Sequence, residues 1–188
     1  MRSRKNSPVD GLSLVGLFLL AMMLLNAIIE PGSSVDTAAA QGDPAALQAQ
    51  TPDWNAIAPP YDSYIVTQGI HGESYGHAAI DLTAGEGAEI KSPINGTVEA
   101  LYIDEYSNTT LIIENERYQV TLLHGLYNVE QGQVVALGDV VGTESNQGYT
   151  VDFQGRLCSG RDCGYHTHLN VFDKQLQANV NPLELFNP

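Results

Sequence analysis

An all-β fold, a compact antiparallel sandwich or barrel, is what this sequence predicts, and two observations carry the prediction. From Tyr61 onward the chain is a series of short runs rich in Val, Ile, Leu and Thr, each ended by Gly, Asn or Pro. Many short strands at close spacing mark a sandwich or barrel. Nowhere beyond the N-terminal apolar run does apolar character recur with the period of a long amphipathic helix.

The elements follow in chain order. Residues 1–40 form a targeting segment. Arg2, Arg4 and Lys5 precede a nearly uncharged run from Gly11 to Ile29, which Glu30, Pro31 and Gly32 end. Positive charge before the run and acid after it place the N-terminus inside and the remainder outside. Ala38-Ala39-Ala40 offers a small-x-small cleavage site, as in a signal peptide. Residues 11–29 are also about long enough to span a bilayer and tether the chain to the membrane, for which roughly 20 residues are needed. Both readings stay open, and both give an extracytoplasmic domain, secreted or anchored at the outer face of the cytoplasmic membrane.

Residues 41–60, rich in Ala, Gln, Pro and Asp without periodicity, read as a linker, with Trp54 near its end. The domain proper is placed at residues 61–188. Its expected strands are Ile65–Thr67, Ala78–Leu82, Ala88–Ile90, Gly96–Ile103, Thr110–Glu114, Arg117–Leu123, Val134–Leu137, Val140–Gly142 and a last one through His166 and His168. The fifth and sixth form a hairpin through Asn115-Glu116. The stretches 87–98 and 132–142 echo each other and resemble the hairpins of biotinyl and lipoyl carrier modules. No lysine stands at the hairpin tip, so carrier chemistry is excluded.

Charge narrows the partners. Twenty-two acidic residues against eight basic ones give a formal charge of −14. Phosphate binding needs a basic face, so no nucleic-acid partner is expected, nor a polybasic membrane-surface patch. Cys158 and Cys163 bracket a four-residue loop and in an exported chain would form a disulfide. The competing reading, a metal pair, needs reduced thiolates and two further ligands.

All five histidines fall between positions 71 and 168. His166 and His168 lie two apart in strand-like sequence, so their side chains share a face. His77 and Asp81 lie four apart and on an extended strand would share one too. Two imidazoles and a carboxylate, His77, Asp81 and His168, make a catalytic zinc set with the fourth position open.

These residues resemble the lysostaphin/LytM-type zinc metallopeptidases. The likeness is carried by His77-x-x-x-Asp81, by His124 at the end of the apolar run Thr121-Leu122-Leu123, and by His166-x-His168. It covers roughly residues 61–187, ending near Asn181-Pro182-Leu183. The resemblance implies the duplicated hybrid motif fold, one Zn2+ per chain on His77, Asp81 and His168, and a monomer. It implies that His124 and His166 flank the attacking, metal-activated water and the scissile carbonyl, one as base and one as stabiliser of the oxyanion. The implied substrate is a peptide bond in a bacterial cell-wall crosslink. Three positions depart from the family pattern: Ala79 where Gly is usual, Leu123 where an aromatic is usual, and Asn170 where an acid is frequent.

His71 is read as an ordinary loop histidine, the alternative being a side chain that lines the groove or transiently occupies the metal. The expected activity is that of an exported zinc endopeptidase. A non-cleaving peptidoglycan-binding or regulatory module of the same fold is the alternative. A purely structural zinc is disfavoured, because such sites are closed by four ligands and commonly rich in cysteine.

Overall fold

The computed structural model describes residues 51–158 and 160–186. The expected export segment and the first part of the expected linker lie outside them. Among the described residues no helix is long and apolar enough to cross a membrane.

Among the described residues, eleven strands, one short α-helix and a single 3-10 turn make up the domain. The strands and helix are β1 (Ile65–His71), β2 (Ala79–Thr83), β3 (Glu89–Lys91), β4 (Gly96–Ile103), β5 (Thr109–Glu114), β6 (Tyr118–Leu123), β7 (Leu126–Tyr127), β8 (Val134–Val135), β9 (Val140–Thr143), β10 (Thr167–Asp173), β11 (Ala178–Val180) and α1 (Pro182–Phe186). Eight strands join one sheet in the order β1-β2-β10-β6-β5-β4-β8, with β11 also on β10. A second sheet has the order β3-β9-β7. Every pairing is antiparallel. The all-β expectation is met.

Alternation explains the large sheet. In β6, Tyr118, Val120 and Leu122 are buried while their neighbours are partly exposed. The period-2 pattern turns one face to the core. That face meets Leu111 and Ile113 of β5, Ile80 and Leu82 of β2, Leu169 and Val171 of β10, and Ile90 and Val141 from the small sheet. Burying such side chains stabilises by about 1.5–3 kcal/mol each, so the core between the two sheets fixes the strands that carry the site. β10 matters most for function, since it lies between β2 and β6.

The internal echo has a structural counterpart. Its two copies pair with each other, with Ile90 opposite Gly142 and Gly96 opposite Val135. Residues assigned to the linker by composition also touch the domain: Ile57 bridges to Ile94, and the Ala58 amide donates to the Pro93 carbonyl at 3.0 Å. Tyr61 is buried, its hydroxyl shares a hydrogen bond with Thr167, and burial pushes that hydroxyl's pKa up. This contact fastens the residue between the two histidines of the His-x-His pair.

Candidate active site

Asp81 and His168 are directly opposed on β2 and β10. Cross-strand partners have Cβ atoms about 4.5–5.5 Å apart, close enough for their side chains to meet. His168 Nδ1 lies 3.0 Å from Asp81 Oδ1. His166 immediately precedes β10, and its Nε2 lies 3.8 Å from Asp81 Oδ2. The pair expected to share a face therefore converges on one carboxylate. Burial alone would raise the Asp81 pKa, but the His168 hydrogen bond and the neighbouring imidazoles outweigh it and hold the carboxyl below its usual range.

The third member of this cluster is His71. Its Nε2 stands 3.2 Å from His168 Nδ1 and 3.5 Å from Asp81 Oδ1. Along β1, Gln68 opposes Asp81 while His71 opposes Ala79, so three steps on β1 match two on β2. This bulge re-aims the side chain at the strand end, as bulges beside active sites do.

His77, the ligand expected from sequence, lies apart from that triangle. Its ring centroid is 6.2 Å from that of His168, against 4.9 Å for His71. The reason is local. The expectation assumed an extended strand from His77 to Asp81, but β2 begins at Ala79. His77 belongs to a turn in which Gly72 and Gly76 both have positive φ, with a single 3-10 turn, Glu73–Tyr75, between them. Its amide donates to the Gly72 carbonyl at 3.1 Å. The rule that positions i and i+4 share a strand face does not reach it.

The triangle has the size of a metal face. Tetrahedral zinc with arms of about 2.0–2.2 Å sets its donors roughly 3.3–3.5 Å apart. The three separations here are 3.0, 3.2 and 3.5 Å. His71, Asp81 and His168 each offer one donor atom, all within 4.8 Å of one another. Two nitrogens and a carboxylate oxygen are the donors zinc takes in catalytic sites, so the residues fit the ion.

His124 and His166 lie beside the triangle with ring centroids 4.6 Å apart. His124 follows β6 with a φ of 72°, a left-handed backbone uncommon outside glycine. Its amide donates to the Thr109 carbonyl at 3.0 Å, and its own carbonyl accepts from the Ser145 hydroxyl. These bonds hold the strained residue in place. Burial, and then the nearby His166, push the His124 pKa down to about 4.

Three of the imidazoles have their tautomers set by main-chain oxygens. A carbonyl only accepts, so His71 Nδ1–H donates to Gly69 at 2.8 Å, His124 Nδ1–H to Gln147 at 2.7 Å and His166 Nδ1–H to Gly164 at 2.8 Å. In each neutral ring Nε2 then carries the lone pair. A metal ligand needs that form, and so does a base.

The loop that supplies two of those carbonyls is tied down. Cys158 and Cys163 are disulfide-bonded. Asn146 donates through Nδ2 to the Arg161 and Cys163 carbonyls, both at 2.9 Å, and to Cys158 at 3.3 Å. Sequence reasoning missed Asn146, and it missed the role of Asn170. The latter accepts from the Ala78 amide at 3.0 Å and donates to Asn179 at 3.1 Å. A neutral amide does both, which a carboxylate at this position would not.

Comparison with known proteins agrees with this fold. A zinc-containing peptidase from Vibrio cholerae matches with a TM-score of 0.53 at 24% identity, covering 68% of this chain and 39% of that one. Lysostaphin from Staphylococcus simulans matches with a TM-score of 0.54 at 16% identity, covering 71% and 53%. Csd3 from Helicobacter pylori matches with a TM-score of 0.52 at 16% identity, covering 70% and 33%. The chain thus spans about half or less of the length of these structures. No curated protein matches it significantly. Residues 75–182 match the model of peptidase family M23, and with more than half of its length so accounted for the chain belongs to that family.

Proposed function

We propose that this chain is an exported zinc-dependent endopeptidase that cleaves peptide bonds in bacterial cell-wall crosslinks. The observation that carries the reading is the convergence of Asp81 and His168 with a third imidazole at metal-donor spacing, beside two histidines whose Nε2 lone pairs are free. Family membership supports the peptidase chemistry, and lysostaphin among the structural neighbours is described as an antimicrobial peptidase. The disulfide fits an oxidising, extracytoplasmic setting.

Zinc held by Asp81, His168 and an imidazole from the β1–β2 segment, His77 on the family motif, would polarise the scissile carbonyl and lower the pKa of a bound water. The protein's own groups divide the remaining work. His166 takes the proton of the attacking water at Nε2. Asp81 Oδ2, 3.8 Å away, offsets the imidazolium that forms, and the Gly164 carbonyl keeps the ring oriented. His166 then returns the proton to the departing amine. His124 is harder to protonate, because burial and the adjacent His166 oppose its charge. It stays neutral and orients the water through Nε2.

The test is incubation of the purified protein with peptidoglycan, with and without a chelator, followed by mass spectrometry for new amino termini. Chelator-sensitive new termini are expected. Metal-loaded protein that binds muropeptides and releases none would instead mark a non-cleaving module.

A further inference from the structure

We infer that His71 and His77 are alternative occupants of one ligand position on the metal, exchanged by movement of the Gly72–Gly76 turn, with His71 in place in the resting protein. The inference rests on the reading of Asp81 and His168 as metal ligands and extends it to a residue outside the family-matched segment, which begins at position 75.

Geometry favours His71 as an occupant. Its Nε2 completes a triangle with sides of 3.0, 3.2 and 3.5 Å, which a tetrahedral ion of about 2.0–2.2 Å reach would span after shifts of a few tenths of an ångström. The ring is also set up as ligating histidines are, with the far nitrogen donating to a main-chain carbonyl, here Gly69 at 2.8 Å. A loop histidine present by chance has no reason to meet both conditions.

His77 is placed for exchange. It is joined to His71 by five intervening residues, and its ring already lies 6.2 Å from that of His168. The segment between them is bounded by Gly72 at φ 86° and Gly76 at φ 78°. Glycine absorbs such dihedral changes at least steric cost. A Cβ on Gly72 would stand 3.1 Å from the His77 Cβ, so the two sides of the turn approach closely only because that position is glycine.

The strand that carries His71 can yield. Among the described residues β1 is the edge of its sheet and pairs only with β2. Residues 65–70 are all exposed, so a shift of its end uncovers almost no core. Asp81 and His168 are held on two central strands and do not move in the exchange. The ion is thereby retained whichever imidazole is in place.

Metal binding tests this on the full-length protein, with Co2+ as the probe, its absorption spectrum and competition against a chelator as readouts. His71→Ala and His77→Ala should each keep one Co2+ per chain, with affinity weakened less than about tenfold. The double variant should lose at least a hundredfold and match Asp81→Ala. His71→Gln, of similar reach but without a ring nitrogen, should behave as His71→Ala, and thermal melting checks that all variants fold.

Each other outcome overturns the exchange. If His77→Ala alone matches the double variant while His71→Ala binds as wild type, His71 is no ligand. If the roles are reversed, His71 is a permanent ligand. If each single variant is as poor as the double, both bind at once, and if the double binds as wild type, neither does. Failure of the wild type to bind Co2+ would remove the metal-site reading itself.

Discussion

His124 provides the sharpest test of the site's electrostatics. The side chain is buried and its pKa falls from the ordinary 6.5 to about 4 on folding. Between those values the unfolded chain binds a proton that the folded chain refuses. Stability therefore rises with pH across this window, is fully present above about 6.5, and is lost as pH falls towards 4. Each pH unit inside the window changes stability by about 1.4 kcal/mol, so moving from pH 7 to pH 5 removes roughly 2 kcal/mol through this one residue. The comparison is His124→Asn. Asparagine tolerates the left-handed φ of 72°, and its amide can still donate to the Gln147 carbonyl. Urea unfolding of chelator-treated wild type and variant at both pH values gives the difference directly. Wild type should lose roughly 2 kcal/mol more than the variant on acidification. Equal losses would show that His124 is not held neutral by burial, and the assignment of the proton to His166 would lose its basis.

Replacing His168 with Ala should release the metal and abolish peptidoglycan cleavage, read by metal content and product mass; an unchanged rate contradicts the site. Gly148→Ala places a Cβ 2.3 Å from Asn108 Oδ1 on a backbone with φ 90°. A destabilisation of about 2–4 kcal/mol is expected in thermal or urea unfolding, with a wild-type melting curve as the contrary result. Paired Cys158→Ser and Cys163→Ser should cost about 2 kcal/mol from loop entropy. They should also lower kcat more than they raise KM, because the loop sets the carbonyls that orient His124 and His166; steady-state kinetics on a soluble wall peptide would show a KM-only effect if the loop merely binds substrate.

The strands were legible where alternation was strict and a core lay on one side. β6 is the clearest case. β7 and β11 were not, since two or three residues carry no period and are made by pairing with strands distant in sequence. Asp81, His124, His166 and His168 could be picked out because each stands on or just beside a strand that sequence could place. His71 could not. Its aim depends on a bulge in the β1–β2 pairing, and register shifts are invisible in one chain read alone. The position of His77 was hidden for the same kind of reason, since β2 begins at Ala79 and leaves His77 in the turn before it. The Ala79 departure lies on the site side of the strand: two residues from Asp81 on β2, it shares that residue's face, and its side chain is wholly buried.

The carbonyls of Gly69, Gln147 and Gly164 have a consequence for how this protein can change. A proton position dictated by a side-chain partner is open to single-codon loss, because replacing that partner frees the ring. Here each partner is an oxygen common to every amino acid. Point substitution alters the residue but not the acceptor, so the protonation pattern of three imidazoles is buffered against most single mutations. It yields instead to insertions, deletions or a proline that redirects the path of the chain. The bond itself thus survives a change of side chain, though Gly148 and Gly164 leave no room for a Cβ, and redesign of the chemistry would have to begin with backbone geometry.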